Sequence, residues 1–416
     1  MRIGFFTETY RPVKSGVVTS LIAFKQELES KKHKVYVFAP KHGHYKDREK
    51  NIIRFNGLKI LNTDFSLTFP MMSPKLRICK NLDVIHANHP VNTGLTALYV
   101  ARLYKKPLIF TAHSNYEDYD IYLNLFPKLS KKLIRTYIKS FLEFFDYIIV
   151  PSKRMRNHFL RMKLSKPVVI IPTGINLKEF NLAKYKKSST VLRNKIIADF
   201  RIKKADFKKT RILLYAGRLA KEKNLPLLLK LMKRIELDNV VLVIVGNGPE
   251  KDFLEDQIAK NDLQNRIRIY PATKDYKALI PYYKAADVFA TPSKQEAQGL
   301  TILESMASET PVVCFKNFGT SDFMIDGFNG LVAKNDSDFI RKIELLINDN
   351  ELRQKILSNA FKTAEKYSIE KCAKKLLVVY ERAIFEKKKR DNGDFMKEFA
   401  FFLRAIKKGV QQLVKE

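Results

Sequence analysis

Short apolar runs alternate with amphipathic segments along most of the chain, and this alternation constrains the fold more than any other feature. The strand-like runs are MRIGFF, KVYVFAP, DVIHAN, PLIFTAH, YIIVPS and VVIIPTG in the first half, and ILLYAGRL, VVLVIVGNG, IRIYPA, DVFATPS and PVVCF in the second. Strands that alternate with helical segments are typical of parallel sheets covered by helices on both faces. We therefore predict an α/β fold.

The alternation pauses at residues 181–211, which are polar, rich in lysine and poor in strand signals. A chain of 416 residues also suits two domains of roughly 200 residues each. We predict an N-terminal domain at 1–185, a linker region at 186–210, a C-terminal domain at 211–390 and an amphipathic tail at 391–416. Because doubly wound, Rossmann-like sheets bind ligands at the carboxyl ends of their strands, two facing sheets would leave a binding cleft between them.

The chain carries a formal net charge of +34, and most of the excess lies in its first half. Residues 1–200 contain 36 Lys and Arg against 14 Asp and Glu, whereas residues 201–350 contain 24 against 20. This asymmetry indicates an anionic partner, either a nucleic acid or acidic lipid headgroups, unless it reflects a lysine-rich genome. The sequence has no helix-turn-helix, RRM, KH or zinc-finger signature, so we predict no nucleic-acid partner.

Cysteine usage and hydropathy indicate the compartment. The three cysteines, Cys79, Cys314 and Cys372, show no metal-ligand spacing, which fits a reducing cytoplasm better than a disulfide framework. The N-terminus shows no charged-then-apolar leader, and no apolar stretch approaches the ~18 residues that span a bilayer. We expect a protein that is neither secreted nor membrane-spanning.

Two loops of the second half carry residues suited to binding phosphate. In AGRLAKEKN, Arg218 and Lys223 follow an apolar strand and precede a helix that starts near Asn224 and Pro226. A guanidinium fork and an ammonium at that position can clamp a diphosphate. In VGNGP, the glycines would allow a ligand to approach the backbone closely, although a lone Gly-x-Gly is a weak signal.

The stretch QEAQGLTILE places two carboxylates on either side of a helix start. The amides of Gly299, Leu300 and Thr301 would lie at the helix N-terminus, where phosphate oxygens bind well. From the preceding loop Glu296 can reach the group that the phosphate carries, while Glu304 can accept hydrogen bonds from a vicinal diol such as a ribose. The alternative is two solvated surface charges. It is weakened by the apolar neighbours of Glu304, among which an unpaired carboxylate is costly.

The motifs EAQGLTILE, GRLAKEKN and GNGP together resemble the retaining GT-B glycosyltransferases of family four, and the resemblance covers nearly the whole chain. It implies that Glu296 contacts the donor hexose, that Glu304 binds the ribose, and that Arg218 and Lys223 hold the diphosphate. It also implies that the N-terminal domain holds the acceptor. In the first loop, TETYRPVKSGVVTS, Gly16 would come near the donor phosphates, unless it only permits a tight turn.

A narrower resemblance, in TETYRPVKSGV, TAHSNYEDY and QEAQGLT, is to the bacterial monoglycosyldiacylglycerol synthases. It implies that His113 is the active-site histidine supporting the donor sugar, and that Tyr10, Glu117 and Asp118 lie on the acceptor side. A lone histidine after a strand would otherwise be structural. One departure is that these relatives usually read His-x-His-x-Pro where this chain has HANHP, with Asn88 at the place of the second histidine.

The resulting site residues fall into two groups. We predict as catalytic His113 and Glu296, and as binding the donor nucleotide-sugar Gly16, Arg218, Lys223, Gly246, Gly299, Leu300, Thr301 and Glu304. Positive charge and a helix N-terminus would stabilise the leaving diphosphate, so we expect no tightly bound cofactor and no metal site, with Mg²⁺ at most a weak activator. The Asp-Ser-Asp run at 336–338 resembles a helix cap more than a metal motif.

Two amphipathic segments suggest how such a protein could reach a lipid. In 127–147, apolar residues follow helical spacing with cations on the other side, as in helices that lie in a membrane interface. The predicted membrane contacts are Lys131, Lys132, Arg135, Phe141 and Leu142. The tail at 395–416 repeats the pattern. Either segment could instead pack on the N-terminal domain, and GT-B proteins often return their last helix to it.

The resemblance leads to one function with an alternative. It implies transfer of a hexose from UDP-glucose or UDP-galactose to the 3-hydroxyl of 1,2-diacylglycerol, with retention, giving an α-monoglycosyldiacylglycerol. The expected partners are therefore a UDP-hexose, diacylglycerol and anionic membrane lipids, and the expected location is peripheral, at the cytoplasmic face of the cell membrane. The alternative is a family-four enzyme with another acceptor, such as a soluble sugar, a phosphosugar or another lipid.

Overall fold

The computed structural model describes residues 1–13, 15–59, 66–68, 73–113, 116, 127–180, 182–235, 239–273, 276–294, 296, 298–317 and 319–390. The chain forms two compact units. Unit 1 contains Met1–Gly174 and the part of the chain from Ile369 onward, and unit 2 contains Ile175–Ser368. Each unit is built around its own parallel sheet, as the alternation of strands and helices predicts.

Unit 1 has a seven-stranded sheet in the order β3-β2-β1-β6-β7-β8-β9, with every neighbouring pair parallel. Its strands are β1 (Arg2–Phe6), β2 (Lys34–Pro40), β3 (Ile52–Phe55), β6 (Val84–Ala87), β7 (Leu108–Thr111), β8 (Tyr147–Val150) and β9 (Val168–Ile170). Two further strands, β4 (Gly57–Lys59) and β5 (Ser66–Thr68), pair with each other in a separate antiparallel sheet. Its first helices are α1 (Gly16–Ser30), α2 (Asn92–Leu103), α3 (Pro127–Leu142) and α4 (Lys153–Leu160). The order of the strands reverses direction between β1 and β6, which makes that boundary the switch point of the sheet.

Unit 2 has a six-stranded parallel sheet in the order β12-β11-β10-β13-β14-β15. Its strands are β10 (Arg211–Ala216), β11 (Val240–Val245), β12 (Ile267–Tyr270), β13 (Val288–Thr291), β14 (Val312–Phe315) and β15 (Leu331–Ala333). Its helices are α5 (Leu182–Asp199), α6 (Pro226–Arg234), α7 (Lys251–Lys260), α8 (Ile280–Ala285), α9 (Leu300–Ala307), α10 (Asp336–Asn348) and α11 (Asn350–Lys366). The switch point lies between β10 and β13.

All eleven strand-like runs of the sequence are strands in these two sheets, so the α/β prediction is confirmed. Their continuous apolar character follows from burial on both faces: all six residues of β11, VVLVIV, are buried. Four short strands, β3, β4, β5 and β15, were not predicted, since runs of three or four residues carry little periodicity.

The predicted domain boundaries are wrong in two places. The supposed linker at 186–210 is largely occupied by α5, whose Ile196 and Ile197 are buried in the core of unit 2. Its Arg193 also donates a hydrogen bond to Asp287 at 2.9 Å. After unit 2 the chain returns to unit 1 as α12 (Ile369–Arg390), rather than ending a C-terminal domain at residue 390. A polar surface with a narrow buried stripe explains why α5 resembles a linker in sequence.

The return helix α12 is an integral part of unit 1. Its Cys372, Leu376 and Tyr380 are buried in the same cluster as Ile3 and Leu21, so it completes the apolar layer on the α1 side of the sheet. The helix that returns to unit 1 is therefore residues 369–390. The amphipathic tail at 395–416, which the sequence offered for that role, lies outside the described residues.

The structure corrects the prediction that Phe141 and Leu142 contact lipid. Both side chains are fully buried in the unit 1 core, and Phe141 packs edge-on against Phe110 at 5.7 Å between ring centroids. Ile138 is buried in the same core, so protein covers the apolar face of α3 at Ile138, Phe141 and Leu142. Arg135 and Lys139 are exposed on its other side. The side chains of Lys131 and Lys132 lie outside the described residues. Among the helices that the structure describes, none is long and apolar enough to cross a membrane.

Substitutions on α3 can test this packing directly. We expect Phe141→Ala to lower the free energy of unfolding by about 3–5 kcal/mol, because it removes a buried ring from a packed core. Lys139→Ala on the exposed face is the control, and should change it by less than about 0.5 kcal/mol. Urea unfolding followed by circular dichroism measures both. Similar small effects in the two variants would mean that the ring is not packed in the core.

Candidate functional site

In unit 2 the predicted phosphate-binding loops meet at the switch point of the sheet. Lys223 lies on the loop that follows β10, and Glu296 lies on the loop that follows β13. The Nζ atom of Lys223 donates a hydrogen bond to Oε1 of Glu296 at 2.7 Å. Both side chains remain partly exposed, so each can also reach a ligand at the strand ends. The structure thus brings together two residues that are 73 positions apart in sequence.

Arg218 lies on the same loop as Lys223 and is exposed. The loop turns at Gly217, and the hydroxyl of Tyr215 donates to the carbonyl oxygen of Arg218 at 3.0 Å. This bond fixes the backbone from which the guanidinium extends. The position at the carboxyl end of β10 agrees with a role in holding an anion.

The glycines of VGNGP have a packing role that the sequence did not reveal. A Cβ atom on Gly246 would lie 2.0 Å from the carbonyl oxygen of Gly217, and one on Gly248 would lie 2.2 Å from that of Leu219. Leu219 also donates its amide to the carbonyl of Asn247 at 3.0 Å. The close approach at Gly246 is therefore made by the neighbouring loop, which carries Arg218. This contact accounts for the glycine at position 246, and direct binding of the donor by Gly246 stays a prediction.

The start of α9 follows the sequence prediction. Gly299 is its N-cap, with a φ of +75° that favours glycine, and Leu300 and Thr301 form its half-buried first turn. The preceding loop is anchored where the side-chain amide of Asn317 donates to the carbonyl of Ser293 at 3.1 Å. The first-turn amides of α9 are positioned to receive an anion.

Glu304 is buried one turn further along α9, so the alternative of a solvated surface charge is wrong. Its Oε2 accepts a hydrogen bond from the hydroxyl of Tyr283 at 2.9 Å. Burial raises the pKa of Glu304 to about 7, and the bond from Tyr283 only partly opposes this shift. The carboxylate is therefore poised to change its charge near neutral pH.

In unit 1 a cluster of polar side chains lies at the switch point between β1 and β6. Nε2 of His113, which follows β7, lies 2.9 Å from Oδ1 of Asn88, which follows β6. The amide of Glu8, which follows β1, donates to Nδ1 of His89 at 3.1 Å. Glu8 also accepts two hydrogen bonds from Thr93 at the start of α2, at 2.6 and 2.9 Å.

The three histidines of this cluster are neutral at physiological pH. Burial lowers the pKa of His113 to about 4, and burial together with the nearby His113 lowers those of His86 and His89 to about 3. Burial also raises the pKa of Glu8, against the opposing hydrogen bonds from Thr93. The cluster can therefore offer hydrogen bonds to a ligand, but its imidazoles supply no positive charge.

Of the residues predicted on the acceptor side, Tyr10 alone lies in the described part of the chain. It is buried in the unit 1 core, and its hydroxyl donates to Oε2 of Glu49 at 2.8 Å. Glu117 and Asp118 lie outside the described residues. Gly16 begins α1, with nothing described within 4 Å of where its Cβ would lie. It is therefore not required by a tight turn.

Glu8 and Tyr283 were missed from the sequence, and Asn88 was noted only as a departure from the motif of the relatives. Asn88 and Glu8 each lie within two residues of a strand end, which is the signal that could have identified them. Tyr283 lies in α8 and gives no such signal. Asp336 and Asp338 lie in the first turn of α10, which confirms the predicted helix start, but the N-cap is Asn335, whose side chain accepts from the amide of Asp338. Within the described ranges, no group of three or more His, Cys, Asp or Glu could hold a metal ion.

Comparison with known proteins identifies the class to which this fold and these sites belong. Residues 14–179 match the family described as Glycosyltransferase Family 4, and residues 197–363 match Glycosyl transferases group 1. The chain therefore belongs to the GT-B glycosyltransferases of this family, and it is an enzyme.

Two curated relatives are similar over most of their length. The chain is 32% identical to an α-monoglucosyldiacylglycerol synthase of Streptococcus pneumoniae, over 86% of this chain and 81% of that one. It is 29% identical to an enzyme of the same name from Acholeplasma laidlawii, over 94% and 100%. Among solved structures, Anabaena Alr3699/HepE in complex with UDP-glucose matches with a TM-score of 0.73 and 18% identity, over 92% and 100%. That similarity supports the fold.

Proposed function

We propose that this glycosyltransferase moves a hexose from a UDP-sugar to the 3-hydroxyl of 1,2-diacylglycerol, with retention, at a membrane surface. The observation that carries the proposal is the similarity to two α-monoglucosyldiacylglycerol synthases, which extends through both units of the chain. Their shared name favours glucose over galactose as the transferred sugar.

The unit 2 site supports the donor half of the proposal. Arg218 and Lys223 would hold the diphosphate, Glu304 would accept hydrogen bonds from the ribose, and Glu296 would contact the hexose. A diphosphate carries more negative charge than one carboxylate. It would therefore compete with Glu296 for the ammonium of Lys223 and free Glu296 for the sugar. The binding of UDP-glucose by a protein of the same fold agrees with this choice of nucleotide.

The reaction that we propose depends on stabilising the leaving diphosphate. The two cations and the first-turn amides of α9 supply positive potential where negative charge develops, which lowers the barrier to cleavage of the C1–O bond. The leaving phosphate would accept the proton of the attacking hydroxyl on the same face. This scheme needs no tightly bound cofactor, and Mg²⁺ would act at most as a weak activator. In unit 1, His113 would support the sugar through a hydrogen bond, because it carries no charge at neutral pH.

Incubation with radiolabelled UDP-glucose or UDP-galactose, over vesicles of diacylglycerol and anionic lipid, tests the proposal. We expect label in the extracted lipid as a monohexosyl product, with the α configuration by NMR. Product from a soluble sugar or phosphosugar, with none in the lipid extract, would instead support another acceptor. Label in neither fraction from either donor would contradict the proposed donors.

The pKa of Glu304 predicts how UDP binding depends on pH. The ionised carboxylate accepts hydrogen bonds from the ribose hydroxyls more strongly than the protonated acid does, and the pKa of Glu304 is about 7. The Kd for UDP should therefore rise about tenfold per pH unit below 7, and level off above it. Calorimetric titration measures this dependence.

Two variants isolate the contribution of Glu304. Above pH 7, Glu304→Gln should bind UDP more weakly than the wild type does, and its Kd should lose the pH dependence that comes from Glu304. Any pH dependence from ionisation of the UDP phosphate is the same for the wild type and the variant. Glu296→Gln should bind UDP normally or slightly more tightly, because UDP lacks the sugar and Lys223 loses its competing partner. An equal loss of UDP affinity in the two variants would contradict the assigned roles.

The charge of the first half predicts electrostatic attachment to the membrane. Since Ile138, Phe141 and Leu142 are buried, we propose that the cations of α3 attract anionic headgroups from the surface, at the cytoplasmic face, without insertion of Phe141 or Leu142. Neutralising Lys131, Lys132 and Arg135 to Gln should reduce cosedimentation with anionic vesicles. The difference in cosedimentation between the variant and the wild type should disappear at 1 M salt, where the Debye length is ~3 Å.

A matched control removes the same charge from unit 2. Lys203, Lys204 and Lys208 are exposed, and their triple change to Gln should leave vesicle binding nearly unchanged. Equal losses in the two triple variants would show that only net charge matters. Full binding by the α3 variant would exclude this helix from membrane attachment.

A further inference from the structure

The contact between Asn88 and His113 determines more than the position of the imidazole ring. The two residues follow adjacent parallel strands, and the distance from Oδ1 of Asn88 to Nε2 of His113 is 2.9 Å. Among the described residues, no group forms a hydrogen bond with the other ring nitrogen of His113, Nδ1. The side chain is only partly buried, so a ligand can reach it.

The orientation of the Asn88 amide is fixed by its other contacts. Its Nδ2 faces the carbonyl oxygens of Phe6 at 3.4 Å and of His86 at 3.3 Å, and carbonyls can only accept hydrogen bonds. Rotating the amide by half a turn would place Oδ1 against these two oxygens. Its backbone amide also donates to Phe6, at 2.9 Å, which holds the residue in register with β1. The oxygen of the amide must therefore face His113.

An acceptor at 2.9 Å from Nε2 decides which nitrogen of a neutral ring carries the proton. Neutral imidazole has one N–H and one lone pair, and the hydrogen bond to Oδ1 forms only if the proton is on Nε2. We propose that Asn88 is a positioning residue that fixes His113 as the Nε2–H tautomer, so that Nδ1 is presented to the substrate as a hydrogen-bond acceptor. The inference rests on the proposed function for the identity of that substrate.

This tautomer selects the chemistry of the group that can bind opposite His113. A sugar hydroxyl can donate to the lone pair of Nδ1, whereas a carboxylate or phosphate oxygen would meet it with a second lone pair. Burial favours the neutral ring, and the nearby titratable rings of His86 and His89 are neutral as well. The site therefore fits a neutral hexose rather than a uronic acid or a sugar phosphate.

The tautomer can be observed directly by long-range ¹H–¹⁵N correlation on protein labelled at its seven histidines. We expect ring shifts of an Nε2–H imidazole for His113, assigned by their loss in His113→Gln. His89 provides an internal reference, because its Nδ1 accepts from the amide of Glu8 and its tautomer does not depend on Asn88. Wild-type shifts showing Nδ1–H, or a rapidly exchanging mixture, would overturn the proposal without any variant of Asn88.

Two substitutions of similar size distinguish the effect of the hydrogen-bond acceptor Oδ1 of Asn88 from that of its structural hydrogen bonds through Nδ2. Asn88→Asp and Asn88→Leu both lose the hydrogen bonds from Nδ2 to Phe6 and His86, but only Asp keeps an acceptor facing His113. At about pH 8, where the ring beside a carboxylate is more readily neutral, the Asp variant should keep the Nε2–H shifts. The Leu variant should move toward Nδ1–H. Unchanged His113 shifts in the Leu variant would refute the role of Asn88.

Kinetics with UDP-glucose and diacylglycerol provide the functional measurement. We expect kcat/KM to fall about tenfold in Asn88→Leu and by no more than about threefold in Asn88→Asp. Thr96→Val is the folding control, because it removes a hydrogen bond within α2, from Thr96 to the carbonyl of Asn92. Equal losses in the Asp and Leu variants would mean that only the loop contacts matter. An inactive wild type would contradict the proposed substrates, while the NMR result would still decide the tautomer.

Discussion

Both units depend on the same constraint, which is the reversal of strand order in a parallel sheet. Right-handed crossovers place successive strands on one side of the first strand and then on the other, so the loops that follow the two central strands separate and leave a crevice. In unit 1 these loops carry Glu8 and Asn88, and in unit 2 they carry Lys223 and Glu296. Residues distant in sequence therefore meet because of sheet topology, and not because of any local motif.

The two crevices differ in charge, and the difference follows from burial. In unit 2 the loops are partly exposed, and Lys223 pairs with Glu296 across them at 2.7 Å. In unit 1 the histidines are desolvated and neutral, and Glu8 is pushed toward its protonated form. Charge stabilisation can therefore come from unit 2, while unit 1 offers directed hydrogen bonds. This division agrees with the proposal of a donor diphosphate in unit 2 and a neutral, hydroxyl-bearing group in unit 1.

The sequence predicted the strands well, because residues buried on both faces form continuous apolar runs whose meaning is not ambiguous. It also predicted the positions of Lys223 and Glu296 on loops that follow strands and of Glu304 in the next helix, while their roles in binding stay predictions. It failed for α3, since amphipathic spacing shows that a face is covered but not whether protein or lipid covers it. It failed for α5 because a narrow buried stripe, including Ile196 and Ile197, is outweighed by the polar residues around it.

The contacts of α12 could not be predicted for a different reason, which is their separation along the chain. Nδ1 of His86 lies 2.6 Å from the hydroxyl of Tyr380, a residue 294 positions later. The carbonyl of the same His86 accepts from the Asn88 amide that faces His113. A side chain of α12 thus supports the loop that carries Asn88, the residue in contact with His113.

This connection constrains how unit 1 can be completed. Its sheet is encoded by residues 1–174, but the helix that covers the α1 side comes from beyond residue 368, after all of unit 2 has been synthesised. Until α12 packs, part of the apolar layer on the α1 side of the sheet is uncovered and His86 lacks the hydroxyl at Nδ1. The hydrogen bonds around His86 can therefore be completed only after residues 369–390 have been synthesised.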